Sequence, residues 1–450
     1  MKLVYDVKDK PKFRQLIVFA IQQLLAIMTA TLVVPVIIGN NMSPAAALVG
    51  AGVGTLIYIL FTKAKSPVFL GSSFAFIYSM FAAFAGGVSM SLGYLGLIIG
   101  ALFAGLVYVV IAVIVKFVGV KWINKLMPAS VIGPTVAIIG LSLAGNAIGD
   151  ITKGSIAGVE ASPLITTLCG VVTLLIVIIT SVYGKKMLKL IPFIIGILGG
   201  YAFSLVLTLI GTYAGIDALR VLNLEPFKAL VADGVTLSTF ISVPDFTFVA
   251  AFKGFGELSG SYIGTIAVAY IPVAFVVLAE HIADHKNISS IIEKDLLEEP
   301  GLHRTLAGDG IGSFVGALFG GCPNTTYGES VGCVAITKNA SIYTIITAAI
   351  LAILIAFVSP FVAFVNSIPS CVMGGVCIAL YGFIAVSGLK MIQNVNLNLN
   401  KNLFVVSTIL ITGIGGLTLN FGQVTITSIA CALILGIIVN IIVSKASEQE

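Results

Sequence analysis

The chain has 450 residues, 58% of them hydrophobic and only 10% charged, where soluble domains carry about 25% charged residues. With a mean hydropathy of +1.12, that balance excludes a soluble globular protein. A run of roughly 20 apolar residues spans a bilayer as a helix, so the fold class is an all-α polytopic membrane protein. The formal net charge of +5 is spread over loops, and one Trp with three His offers no stacking platform, so nucleic acid is not a partner.

The opening MKLVYDVKDKPKFRQ is charged and reads as a cytoplasmic tail, with no cleaved signal needed. Apolar runs then predict spans near 15–38, 45–62, 67–85, 93–118, 128–147, 163–183 and 191–214. A second set follows near 262–283, 306–321, 326–338, 341–366, 368–389, 403–419 and 423–443. Two of these are short for full spans, but the charge pattern needs them. Lys2, Lys8, Lys10, Lys12, Arg14, Lys63, Lys65, Lys116, Lys121, Lys125, Lys185, Lys186 and Lys189 fall on one side if both termini are cytoplasmic. Lys286, Lys294, Arg304, Lys338, Lys390, Lys401 and Lys445 join them, leaving Lys153, Arg220, Lys228 and Lys253 opposite. Fourteen segments give this asymmetry; an odd number destroys it.

Seven segments per half make the second half inverted relative to the first, the pattern of many secondary transporters. Such folds bind substrate at the midplane, where paired apolar segments are interrupted. Here SPVFLGSSFAFIYSM (66–80) and GGCPNTTYGESVGCV (320–334) form that pair, with GSSFAF over NTTYGE at an offset of 253 residues. The β-prone runs VFL and TTY predict short extended stretches in segments 3 and 10, each leading into a half-helix. Extended backbone at that depth is tolerated only when buried or lining a cavity. The half-helix start then leaves N–H groups free for a ligand.

Two carboxylates lie in apolar context: Glu329 in CPNTTYGESVGCVAITK, and Glu280 in VAFVVLAEHIADHKN. A carboxylate at mid-bilayer costs on the order of 3 kcal/mol, and such groups usually face a cavity or pathway. The structural alternative for Glu280 is an interfacial, solvated residue, because His281, Asp284, His285 and Lys286 follow. Asp284 sits one turn beyond Glu280 on the same helix face, and His285 one turn beyond His281, a spacing open to a proton relay. No HExxH supports a metal site, and His303 reads as loop. The six cysteines, without any CxxC, read as small buried hydrophobes.

The stretches GSSFAF, AEHI, KDLLEEPGLHRTLAGDGIGS, NTTYGESVGCVAITK and MGGVCIALYG resemble the nucleobase–ascorbate transporters along nearly the whole chain, nearest to the uracil permeases of bacteria. The family signature is matched by Glu329, Gly332, Thr337 and Lys338. The resemblance implies fourteen segments in two inverted seven-segment repeats, with short antiparallel strands in segments 3 and 10. Residues 1–123 and 246–366 would form a core domain, and residues 124–245 and 367–450 a gate domain. It implies a homodimer in the bacterial plasma membrane that carries a nucleobase, uracil, by elevator-like movement. A proton would be the coupling ion, with no other cofactor. Glu280 and Glu329 would bind the substrate; Phe74, Tyr327 and Gly328 would offer backbone N–H groups or packing surface; Ala30 and Tyr381 would close the pocket. Proton-coupling candidates are Glu329, Glu280, Asp284 and His285. Burial favours the neutral form of a carboxylate, so a proton would let the loaded site cross without a net buried charge.

The chain departs from the family pattern at three positions. Ser330 stands in place of the signature's Asn, Gln23 where the first span often has His, and Asp284 where some uracil permeases have His. Three rival readings follow different features. A purine permease of the same family would more often carry Gln or Asn at position 329. An anion exchanger or channel on the same fold would want a cationic or neutral centre. An intramembrane enzyme would need a catalytic motif that the sequence lacks.

Overall fold

In the computed structural model, residues 3–154, 161–185, 188–232, 234–421 and 424–444 are described; Lys2, Lys186 and Lys445, used above for orientation, lie outside them. The chain is mostly helical. The first part contains α1 (Phe13–Ile38), α2 (Pro44–Phe61), β1 (Leu70–Ser72), α3 (Ile77–Ala83), α4 (Met90–Val118), α5 (Ala129–Ser142), α6 (Ala144–Ile151), α7 (Pro163–Tyr183) and α8 (Pro192–Ala214). The second contains α9 (Gly260–Ile292), α10 (Leu302–Gly320), β2 (Asn324–Thr326), α11 (Gly328–Thr337), α12 (Ile342–Ile355), α13 (Ser359–Ser367) and α14 (Ser370–Ile392). It ends with α15 (Asn400–Ile414), β3 (Leu419–Phe421), β4 (Val424–Ile426) and α16 (Ser428–Val443). Among the described residues, eight helical stretches are long and apolar enough to cross a membrane.

Local chemistry sets the boundaries. Ser43 caps α2 by accepting the Ala46 N–H, with Pro44 at the first helical position; Ser259 caps α9 the same way. Helix α1 stops at Gly39, whose φ of +67° suits a glycine. The helix predicted over 262–283 runs on to Ile292, because buried Ile288 and Ile292 keep an apolar face after the polar HIADHKN stretch begins. The run predicted over 341–366 is two helices. Phe357 O accepts the Ser242 N–H and Ser359 N–H donates to Phe240 O, both at 3.0 Å, and α13 then begins at Ser359 with Pro360 in its first turn. His303, expected in a loop, is the second residue of α10.

Packing falls into two sets. Helix α10 lies against α2 and α4, α4 against α9, and α12 against α1 and α2. Separately, α14 packs on α5 and α7, α7 on α8, and α15 on α5 and α16. Helix α9 bridges the sets by touching α5, α16 and β4. The α2–α10 crossing is close because Gly54 lacks a side chain. A Cβ there would lie 2.6 Å from Asn324 Nδ2 and 2.7 Å from Gly312 O.

Candidate functional site

The two interrupted segments meet. Strands β1 and β2 pair antiparallel, Leu70 with Thr326, Gly71 with Thr325 and Ser72 with Asn324. All six residues are buried. Buried main-chain groups need partners, and two three-residue strands supply them to each other far apart in sequence. Outside the ladder, Ser73 N–H donates to Pro323 O at 2.9 Å and Tyr327 N–H to Phe69 O at 3.1 Å. Each strand leads directly into helix, at Phe74 and at Gly328, and neither start has a side-chain cap. These helix starts correspond one residue further apart than the sequence pairing of GSSFAF with NTTYGE expects. Their first-turn N–H groups point positive partial charge out of the helix end.

The carboxylates gather around this ladder. Glu329 is the second residue of α11, where a negative charge suits the helix end. Glu280 and Asp284 lie one turn apart on α9, which packs on both α11 and β2. Thr326 Oγ1 donates to Asp284 Oδ2 at 2.9 Å, fixing that carboxylate to β2. Glu280 stands close enough to Asp284, Glu329 and Asp309 to feel their charge. Glu280 and Glu329 are half-buried and Gly328 is exposed, so the three open onto accessible space. No other described residue donates a hydrogen bond to either glutamate; Glu329 turns toward its own N–H.

Phe74 and Tyr381 meet edge to face, ring centroids 5.8 Å apart, joining the segment after β1 to α14. Tyr327 is buried, its N–H bonded to Phe69 O and its hydroxyl donating to Ser72 O at 2.7 Å. It therefore contributes packing rather than a free N–H. Gly328 N–H is left at the uncapped start of α11. Ala30 is buried on α1, one residue before Thr31, whose carbonyl accepts the Ser72 hydroxyl at 3.4 Å.

Sequence reasoning assigned no role to Asp309. It is wholly buried on α10, bonded to His281 Nδ1 at 2.6 Å and 3.5 Å from Thr325 Oγ1. The signal was available: a carboxylate inside a glycine-rich apolar helix obeys the same rule that singled out Glu280. His285 faces Tyr58 of α2, not the glutamates, with Nε2 at 2.7 Å from the hydroxyl. Chemically, the centre presents two carboxylates that accept from no other described residue, beside N–H donors at two uncapped helix starts. That suits a flat, polar, neutral ring with alternating donors and acceptors.

A model of a permease family matches residues 14–422. The chain is 37% identical to the uracil permease of Bacillus subtilis (strain 168) over 457 residues, covering 100% of this chain and 97% of that protein. It is 35% identical to the uracil permease of Escherichia coli (strain K12) over 434 residues, covering 96% and 92%. Among solved structures it resembles the transmembrane domain of the cyanobacterial bicarbonate transporter BicA, with a TM-score of 0.64 at 14% identity, covering 97% and 100%. It also resembles the murine SLC26A9 anion transporter in its inward-facing state, with a TM-score of 0.62 at 12% identity, covering 97% and 69%. At such identities the two structures speak to the fold alone.

Proposed function

The chain belongs to the nucleobase–ascorbate transporter family of permeases, and on that premise we propose that it imports uracil together with a proton. It is a multi-pass membrane transporter and not an enzyme. The observation that carries the substrate reading is the pair Glu280 and Glu329, without protein donors from other residues, beside the uncapped starts at Phe74 and Gly328. Uracil's ring edge alternates N–H donors with C=O acceptors. Carboxylates match the first and helix-start N–H groups the second. A polar group left unpaired in such a site costs about 1–3 kcal/mol, and bonds to charged groups are stronger than neutral ones. Phe74 and Tyr381 bound the ring, and Ala30 backs the ladder.

The fourteen-segment reading, with two inverted repeats, is part of this proposal. The antiparallel ladder between the two broken segments and the two packing sets support a core of residues 1–123 and 246–366 and a gate of residues 124–245 and 367–450. Transport then moves core against gate, with α9 at the boundary. The protein works as a homodimer in the bacterial plasma membrane with both termini cytoplasmic, the orientation the basic residues favour. A proton taken up by the cluster of Glu329, Glu280 and Asp284 offsets its negative charge in the loaded state. One proton moving down 100 mV supplies about 2.3 kcal/mol.

The test is uptake of radiolabelled uracil into proteoliposomes with an imposed inward proton gradient, competed by 5-fluorouracil, xanthine, thymine and uric acid. Uptake driven by the gradient and blocked by 5-fluorouracil but not xanthine is expected. Xanthine carried in place of uracil moves the protein to the purine branch. Uptake that ignores a protonophore removes the proton.

A further inference from the structure

Two histidines one helical turn apart on α9 have all four ring nitrogens engaged. His281 Nδ1 meets Asp309 Oδ2 at 2.6 Å, and its Nε2 meets Thr305 Oγ1 at 3.0 Å. His285 Nδ1 meets the main-chain oxygen of His281 at 2.7 Å, and its Nε2 meets the Tyr58 hydroxyl at 2.7 Å. The rings stack with centroids 4.0 Å apart and planes 27° from parallel. Both side chains are wholly buried. Their partners stand on α2 and α10; Asp309 reaches Thr325 of β2, and Tyr58 lies 2.7 Å from Ser66 Oγ.

The hydrogen bonds fix where protons can go. His285 Nδ1 faces a carbonyl, so it donates, and that carbonyl cannot pass a proton on. Thr305 donates its hydroxyl proton to Leu302 O at 3.1 Å, so His281 Nε2 donates to Thr305. That route also ends on a carbonyl. A shuttle imidazole accepts at one nitrogen and releases from the other. Here one nitrogen of each ring leads nowhere.

The same bonds hold α9 against α2 and α10. Side chains on a helix of 10–12 Å diameter move on the order of 2 Å for a ~20° rotation. Such a rotation would break the Thr326–Asp284 bond and carry Glu280 away from Glu329. We propose that His281 and His285 are positioning residues: they clasp α9 in the rotation that presents Glu280 and Asp284 to β2 and α11, and neither carries the transported proton. This rests on reading the centre as a proton-coupled nucleobase site. The charged or titratable groups around the clasp are Asp309 from α10, Tyr58 from α2, Tyr108 from α4, Glu329 from α11, and Glu280 and Asp284 on α9 itself.

The experiment compares His285→Gln, His285→Leu, Tyr58→Phe and His281→Asn in proteoliposomes, after size-exclusion shows each is folded. Gln and Asn can keep a bond at one ring-nitrogen position but cannot titrate. The expected result is gradient-driven uracil uptake retained in His285→Gln and His281→Asn, with the wild-type pH profile. His285→Leu and Tyr58→Phe should raise KM, by about 10-fold or more for Leu, since a misplacement of 1 Å can cost 100-fold. Uptake that loses its proton drive in His285→Gln or His281→Asn while uracil counterflow persists overturns the proposal. Nitrogen-15 NMR of histidine-labelled wild-type protein, with rings identified by the variants, reads the clasp without any substrate. Ring signals that stay fixed from about pH 5.5 to about pH 8.5 support it, and a ring that titrates there overturns it. Wild-type protein that carries no uracil defeats the uracil reading and leaves the NMR result to decide the clasp.

Discussion

The Gln23 amide of α1 donates to the Ser330 hydroxyl of α11, across 307 residues of sequence. The same hydroxyl accepts the Phe69 N–H at 3.0 Å, just before β1. One oxygen thus joins the first helix, the extended stretch of segment 3 and the half-helix that carries Glu329. Gln23 and Ser330 are two of the three departures from the family pattern, and they are each other's partners. Ser330→Ala should leave the Phe69 N–H and the Gln23 amide buried without this acceptor, costing about 1–3 kcal/mol. A thermal-unfolding cycle with Gln23→Ala should show the two changes to be non-additive. Simple additivity would mean the bond contributes nothing.

Glu329→Gln and Glu280→Gln keep side-chain size but weaken the acceptors offered to a ring N–H. Each should abolish or severely reduce uracil uptake while the purified protein keeps its elution profile. Normal transport by either variant would remove that residue from the site.

Thr326→Val deletes the donor that holds Asp284 against β2 and leaves the shape almost unchanged. We expect a several-fold rise in KM for uracil with maximal rate less affected, because the change disturbs placement and leaves Glu280 and Glu329 intact. Saturation curves at fixed proton gradient measure this, and an unchanged KM would mean the Asp284 position does not depend on the threonine.

Gly54→Ala tests the close approach of α2 to α10. The added Cβ meets Asn324 Nδ2 and Gly312 O at 2.6 and 2.7 Å. Overpacking of this kind costs about 1–3 kcal/mol, and the Asn324 bond to Gly50 O at 3.0 Å should suffer with it. A lower unfolding temperature is expected; no change would show that the helices separate freely.

The N-terminal residues before α1 bridge to the residues after α11: Val4 N–H donates to Lys338 O and Ala340 N–H to Tyr5 O. The Lys294 ammonium, bonded to Asp6 at 2.5 Å, holds that carboxyl below its usual range. The Asp6 contribution is complete above the unfolded carboxylate pKa of about 3.9. It is lost as pH falls through the lower folded value. The difference in unfolding temperature between wild type and Asp6→Asn, small because the pair is half exposed, should therefore be present at neutral pH and vanish in acid. A gap that persists in acid would rule out the ion pair as its source.

The sequence alone determined the membrane class, the two interrupted segments and the glutamates. Each is a local property: the cost of charge in hydrocarbon, the β-prone runs beside glycine, the spacing of Glu280 and Asp284 on one helix. Tertiary structure decided what those residues touch. Tyr327 spends its N–H on Phe69 because β1 happens to lie beside it. His285 is turned to Tyr58 because the fold brings that side chain of α2 within hydrogen-bond reach of α9. Asp309, unremarked in its own helix, became part of the centre when α10 brought it to His281. Hydrogen-bond partners from segments hundreds of residues apart leave no periodicity or spacing to read, so only the folded chain could assign them.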